Sequence, residues 1–149
     1  MRRVLYLVAL LVLGFQFVPS AKETPYTFYV QFIRATNDEQ PGNPEWKQLG
    51  PKLSGSLSPV FRWEHYWEVS RSGVAVSKGQ SRRVQLGSDR ELRIRVTPDA
   101  RVELQHYWKG ELRRKFVREL DDKMCIFGGD RGDNDAWFIV VRRDKPSLD

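Results

Sequence analysis

The feature that most constrains the fold of this chain is an alternation of bulky hydrophobic and polar residues in several short segments. From Phe61 to Ser70, every second residue is aromatic or apolar, with the single exception of His65. A period of two places successive side chains on opposite faces of a β-strand. We therefore predict a half-buried strand here, with His65 and Trp67 on the apolar face and Tyr66 on the outer face.

The same alternation recurs along the rest of the sequence. It returns at residues 91–97 and 102–108, and the pair Lys109 and Gly110 then makes a two-residue turn into a basic strand at 111–118, which predicts a hairpin. Eight or nine short strands separated by turns predict an all-β fold, a single antiparallel β-sandwich. The remaining predicted strands are residues 26–34, 74–76, 83–86, 124–127 and 137–141.

One segment, residues 35–59, breaks this pattern. It contains four prolines and three glycines, so we predict a long loop there rather than a strand. Pro51 suits the first turn of a helix, and Leu53 and Leu57 are one helical turn apart. A short helix over the sandwich is therefore expected, preceded by an exposed, mobile stretch.

Two short segments carry a resemblance to a known class of domain. Val74–Gln80 is a strand with a Lys-Gly turn, and Arg83–Leu86 is the strand that follows it. Together they resemble the immunoglobulin-like β-sandwich domains of exported bacterial proteins, over residues 61–141. The resemblance implies an immunoglobulin-like sandwich that serves as an adhesion, scaffold, chaperone or accessory module.

The N-terminus has the order of a secretory signal peptide. Arg2 and Arg3 precede the apolar run Val4–Val18, and small residues follow, so that cleavage after Ser20 or after Ala21 fits equally well. The apolar run is shorter than the roughly 18 to 20 residues that cross a bilayer, so no membrane span is expected after cleavage. We predict a signal peptide at 1–21 and a secreted or periplasmic product.

Cleavage leaves one β-sandwich domain, residues 22–149. Its formal net charge falls from +6 to +4 because Arg2 and Arg3 are removed. Cys125 is the only cysteine, so no intramolecular disulfide can form and packing alone must hold the fold together. We expect Cys125 to behave as a small buried hydrophobe in a strand.

A repeated tripeptide, His-Tyr-Trp, occurs at residues 65–67 and 106–108 and contains both histidines. If His65 and His106 met across the core, Cys125 would be the natural third metal ligand. Histidines held by hydrogen bonds at the edge of the core are the simpler interpretation. The sequence therefore predicts neither a metal site nor a cofactor.

Aromatic residues raise the possibility of a platform for sugar rings. Most of the tryptophans fall on apolar faces, where a ring that fills the core cannot also stack on a ligand. Trp46, Tyr66 and Tyr107 remain as candidate surface residues.

Clustered arginines suggest an anionic partner. Arg93 and Arg95 share the outer face of one predicted strand, and Arg113 and Arg114 lie in the next hairpin, which could give a positive stripe. Such a stripe would suit an acidic polysaccharide, a lipid head group or an acidic protein. The alternative is a set of solvated strand faces, because acidic residues are interleaved along the same strands.

No catalytic motif is present in the sequence. It has no Gly-x-Ser-x-Gly elbow, no His-Glu-x-x-His helix and no phosphate-binding glycine loop. An exported chain without a nucleic-acid motif is not expected to bind nucleic acid. We therefore predict an exported, non-enzymatic protein that binds a partner, in the first instance a protein, in the cell envelope or outside the cell. The alternative is a carbohydrate-binding accessory module, and the oligomeric state stays open.

Overall fold

The structure is a computed structural model that describes residues 23–121 and 123–146. The predicted signal peptide and both of its cleavage positions lie outside the described residues. The described part contains nine strands and one helix. In chain order they are β1 (Tyr26–Thr36), β2 (Lys47–Gln48), α1 (Pro51–Leu57), β3 (His65–Val76), β4 (Ser81–Gln85), β5 (Arg90–Val96), β6 (Arg101–Trp108), β7 (Glu111–Glu119), β8 (Met124–Asp130) and β9 (Asp135–Arg142).

The strands form two antiparallel sheets, which confirms the predicted all-β sandwich. One sheet has five strands in the order β2-β3-β1-β9-β8, and the other has four in the order β4-β5-β6-β7. The four-stranded sheet is therefore a meander of consecutive hairpins. The five-stranded sheet instead places β1 between β3 and β9, strands that are far apart in the sequence.

The main hydrophobic core lies between the two sheets and is built from alternate residues of their strands. Each of these side chains, when fully buried, stabilises the fold by roughly 1.5–3 kcal/mol. The predicted inward face of β1 is confirmed, and it faces the alternating apolar residues of β5 and β6. The main contributors are Phe28, Val30 and Phe32 of β1, Leu92, Ile94 and Val96 of β5, Val102 and Leu104 of β6, and Ile139 of β9.

A second core covers the outer face of the five-stranded sheet. The predicted helix is confirmed as α1, which has Pro51 in its first turn and buries Leu53 and Leu57. These two leucines belong to the same buried cluster as Ile33 of β1 and Phe138 of β9. Because β1 and β9 pack against a core on each face, apolar residues occupy adjacent positions along much of both strands.

Tyr66 corrects the sequence prediction. It lies on the face opposite the main core, as the alternation indicated, but that face is covered by α1 instead of solvent. Only 3% of Tyr66 is exposed, and burial raises the pKa of its hydroxyl. Tyr66 is therefore a core residue, and the prediction that it is a surface ligand-binding residue is wrong.

The bounds of the predicted strands also change. The segments predicted at 61–70 and 74–76 are one long strand, β3, which begins only at His65. It contains a bulge, because Phe32 pairs with Ser70 whereas Ile33 pairs with Glu68. The segment predicted to lack strands contains the two-residue β2, which pairs with β3, and β1 extends into its first two residues.

Strand direction brings four connections to one end of the sandwich. Residues 37–46, 86–89, 109–110 and 131–134 each follow a strand that runs towards this end. The predicted Lys109-Gly110 hairpin is confirmed, and both residues have positive φ, 49° and 78°, as a tight two-residue turn requires. We call this end of the molecule the loop end.

Gly128 provides a test of how tightly β8 packs against β9. A Cβ atom at Gly128 would overlap the carbonyl oxygen of Trp137 and would lie 2.6 Å from the Cδ1 atom of Phe138. We expect Gly128→Ala to lower the free energy of unfolding by roughly 1–3 kcal/mol in urea titrations.

The matched control is Gly55→Ala in α1, where an added Cβ meets no atom within 4 Å. Alanine favours a helix over glycine, so stability should be unchanged or rise by up to about 1 kcal/mol. Equal unfolding midpoints for the two variants would contradict the packing described for β8.

Candidate functional site

A cleft of about 890 Å³ opens between the two sheets at the loop end. We call it the loop-end cleft. Its walls come from β1 and β9 of one sheet and from β5, β6 and β7 of the other, and its rim comes from the four connections that meet there. The lining residues that carry its chemistry are Arg34, Trp46, Asp89, Arg90, His106, Trp108, Lys109, Arg113, Arg114, Asp130, Arg131 and Trp137.

Positive charge dominates the lining, with six cationic residues and two acidic ones. Two of the cations have acidic partners: Arg34 forms an ion pair with Asp135, and Arg113 forms one with Glu111 at 2.8 Å. Within the described residues, no ion pair is formed by the other four, which are Arg90, Lys109, Arg114 and Arg131. The cleft therefore has a surplus of cationic groups.

Arg90 lies against the inner wall of the cleft. It is the first residue of β5 and pairs with Trp108 at the end of β6. Its guanidinium carbon lies 4.3 Å from the ring centroid of Trp137, 5.7 Å from that of Trp108 and 5.8 Å from that of Phe32. Cation–π contacts of this kind stabilise the cation and restrict its orientation.

His106 lies beneath Arg90 and is only 2% exposed. The Arg90 Nη1 group donates a hydrogen bond of 3.3 Å to its Nε2 atom, because a guanidinium can only donate. The imidazole is therefore neutral and carries its proton on Nδ1, an atom that is buried and has no hydrogen-bond partner among the described residues.

Burial lowers the pKa of His106 to about 4, and the nearby charges of Arg90, Arg114 and Arg113 act in the same direction. The imidazole consequently stays neutral at neutral pH. Arg90 is affected in a similar way: burial lowers the pKa of its guanidinium, the Asp89 carboxylate opposes this shift, and Arg34 and Arg131 reinforce it. A partly buried cation that lacks a paired counter-charge attracts an anion.

The aromatic rings of the cleft serve chiefly as supports for cations. Lys109 and Arg113 lie 5.2 and 5.0 Å from the ring centroid of Trp108, and Arg34 lies 5.9 Å from that of Trp46. The Trp108 indole N–H donates to Asp89 at 2.9 Å. These rings restrict the positions of the charged groups. The charged groups in turn cover much of the ring faces.

The structure divides the predicted site residues into separate groups. Trp46, Arg113 and Arg114 line the loop-end cleft. Tyr107 and Arg93 border an adjoining hollow of about 440 Å³, where Arg93 lies 4.8 Å from the Tyr107 ring centroid.

The predicted positive stripe is not continuous. Arg93 and Arg95 lie on the outer face of the four-stranded sheet, where Glu91 contacts Arg93 at 3.5 Å and Glu103 contacts Lys115 at 2.9 Å. These interleaved acids give a mixed, solvated face. Arg113 and Arg114 of β7 contribute to the cleft instead.

Several cleft residues were not among those proposed from the sequence. Trp108 and Trp137 were assigned to strands as apolar residues, and Arg90 precedes the strand predicted at 91–97. Arg34 lies in a strand that is buried on both faces. The usable signal was strand direction, since alternate turns of a meander meet at one end. Which side chains then converge depends on the packing of one sheet on the other.

The histidines and the cysteine do not form a metal site in the described part of the chain, where no group of three potential His, Cys, Asp or Glu ligands is found. His65 begins β3 in the five-stranded sheet, whereas His106 belongs to β6 in the other sheet. Cys125 is a free thiol on β8, and it is half-buried where a fully buried residue was expected.

Comparisons with protein families, curated proteins and solved structures found no match to this chain. Within residues 23–121 and 123–146, no helix has the length and apolar character needed to span a membrane. The chemistry of the loop-end cleft is therefore the main guide to function.

The low pKa of His106 predicts a pH-dependent stability. The unfolded chain binds a proton at His106 near pH 6.5, whereas the folded chain does so only near pH 4. The contribution of the neutral His106 to the free energy of unfolding is therefore present above pH 6.5 and is lost as the pH falls towards 4. We expect this group to account for about 2 kcal/mol of the loss between pH 7 and pH 5.

The measurement is the free energy of unfolding in urea at both pH values. His106→Gln should reduce the pH-dependent difference by about that amount, whatever its effect on stability at pH 7. His65→Gln, the control, should leave the contribution of His106 in place. An unchanged difference in His106→Gln would show that the buried imidazole does not cause the acid sensitivity.

Proposed function

We propose that this chain is an exported, non-enzymatic β-sandwich protein that binds an anionic partner, an acidic protein in the first instance, in the cell envelope or outside the cell. The observation that carries this proposal is the loop-end cleft, where six cationic residues stand against two acidic ones in the lining. An anionic partner would supply the missing counter-charge.

The position and composition of the cleft support a binding role. Its rim is made of connections held at one end of a rigid sandwich, and binding residues are often carried on such loops. Tryptophan and arginine, which dominate the lining, are also enriched in the energetic centres of protein interfaces. Trp46, which is partly buried at its edge, is well placed to contact a partner.

The likeness to immunoglobulin-like domains supports the same role at the level of architecture. Variable immunoglobulin domains also bind through loops at one end of a two-sheet sandwich. The strand order differs, since one sheet here is a meander of four consecutive strands. The likeness therefore concerns the position of the loops at one end of the sandwich, and it does not extend to the strand order.

The state of His106 favours binding over catalysis. A general acid or base must reach the proton that it transfers, and must titrate near the working pH. His106 is 2% exposed and lies behind Arg90, and its pKa is about 4. In this position the imidazole serves as a support for a guanidinium.

A carbohydrate-binding accessory module is the second candidate, and Trp46 is the observation that favours it. Its ring is half-buried at the rim of the cleft, beside Arg34. A sugar ring that stacked there could place an acidic substituent near the cations. Tyr107 contributes less to this role, because Arg93 already covers its ring.

Charge reversal separates binding at the cleft from binding on the outer face of the four-stranded sheet. The mature chain carrying Arg113→Glu and Arg114→Glu should capture at least roughly tenfold less partner from an envelope extract than wild type, because two attractive contacts become repulsive. The readout is the amount of each protein retained at low salt and released at high salt.

The matched control carries Arg93→Glu and Arg95→Glu, two reversals that leave the cleft intact. It should capture the same partner as wild type. Equal losses in both double variants would overturn the assignment of binding to the cleft. Release of the bound material by a glycosidase, with no protein component, would favour the carbohydrate module.

A further inference from the structure

Arg34 and Arg90 are the two cations of the cleft lining that are not exposed, and they differ in their partners. Arg34 and Arg113 each have an acidic partner, but no carboxylate of the described residues lies within 4.0 Å of the Arg90 guanidinium. The adjacent Asp89 binds the Trp108 indole instead. A partly buried charge without a paired counter-charge is unfavourable, so Arg90 is poised to accept an anion.

The guanidinium is also held in position before any ligand arrives. Phe32, Trp108 and Trp137 surround it, and His106 accepts one of its N–H groups. No Arg90 nitrogen is both buried and without a hydrogen bond. The N–H groups that are not used by His106 are therefore accessible, and Arg90 lines both the loop-end cleft and the adjoining hollow.

The lining favours a singly charged, planar ligand group. One guanidinium presents a fork that matches the two oxygens of a carboxylate. The neighbouring Asp89 carboxylate already offsets part of the positive charge around Arg90, so one further negative charge is sufficient to pair the guanidinium. The rings near Arg90 would contact the methylene groups that carry such a carboxylate.

We propose, on the basis of the function proposed above, that Arg90 is the receptor for one carboxylate group of an acidic protein segment. An aspartate or glutamate side chain, or a C-terminal carboxylate, reaches Arg90 inside the cleft. The exposed cations Lys109, Arg114 and Arg131 at the rim attract the remaining acidic residues of that segment. A peptide fits better than a sugar because cations already cover the faces of Trp108 and Trp137.

The test uses a synthetic peptide of alternating glutamate and serine, and its counterpart with glutamine in place of every glutamate. Binding to the mature chain is measured by isothermal titration calorimetry and by the change in tryptophan fluorescence. We expect the glutamate peptide to bind and the glutamine peptide to show no binding. Arg90→Lys should lower the affinity for the glutamate peptide by roughly tenfold or more, because lysine keeps the charge but loses the planar fork.

Two controls keep the result interpretable. Arg95→Lys, on the outer face of the four-stranded sheet, should bind the peptide as wild type does. If Arg90→Lys unfolds at a lower urea concentration than wild type, Arg90→Gln provides a second variant that retains hydrogen-bond donors without the charge. It should bind no better than Arg90→Lys.

The failure of this inference is distinguishable from that of the proposed function. Peptide binding that is unchanged in Arg90→Lys and Arg90→Gln but lost in the Arg113→Glu and Arg114→Glu double variant would overturn the role of Arg90 and leave the cleft function standing. No binding of the glutamate peptide would also overturn the role of Arg90. The extract experiment would then test separately whether a partner binds at the cleft.

Two further probes address the chemical class of the ligand. Inorganic phosphate should compete with the peptide less well than acetate at equal ionic strength, and the reverse order would contradict a carboxylate receptor. A short oligogalacturonate carries carboxylates on a sugar chain. Binding of this glycan in place of the peptide, with loss in Arg90→Lys, would show that the partner class proposed here is wrong.

Discussion

The structure depends on strand β1, which pairs with β3 along one edge and with β9 along the other. Its two faces belong to different cores. Phe32 packs between the sheets, whereas Ile33, directly after the register shift opposite β3, packs under α1. With both faces and both edges occupied, β1 fixes the position of the strands and the helix around it. It also carries Arg34 to the end of the sandwich where the cleft opens.

The cleft shows how an apolar framework can hold a group of like charges. Mutual repulsion among cations is costly, and the chain limits this cost by placing guanidinium groups against aromatic rings and a neutral imidazole. Arg90 between Trp137 and His106 is the clearest case. The same contacts hold the cations in place, so little side-chain freedom remains to be lost when a ligand binds.

Local patterns were sufficient to predict most of the strands, the Lys109-Gly110 hairpin and the short helix at Pro51, because each depends on residues close in sequence. The environment of Tyr66 was not predictable in this way. Its side of β3 followed from alternation, but whether that side met solvent or α1 depended on where the predicted helix would pack against the sheets. The surroundings of Arg90 were equally unpredictable, since its neighbours Trp137 and His106 come from two different sheets.

The strand order has a consequence for how the chain folds. The four-stranded sheet forms from neighbouring hairpins, so each pairing closes a short loop at little entropic cost. The five-stranded sheet joins β1, near the start of the described chain, to β9, near its end. That pairing must wait until the whole domain has been synthesised. Until β9 is in place, β1 can pair only with β3, so one of its edges stays open and the cleft lacks the wall that Trp137 supplies. Completion of the five-stranded sheet and assembly of the cleft are therefore the same event.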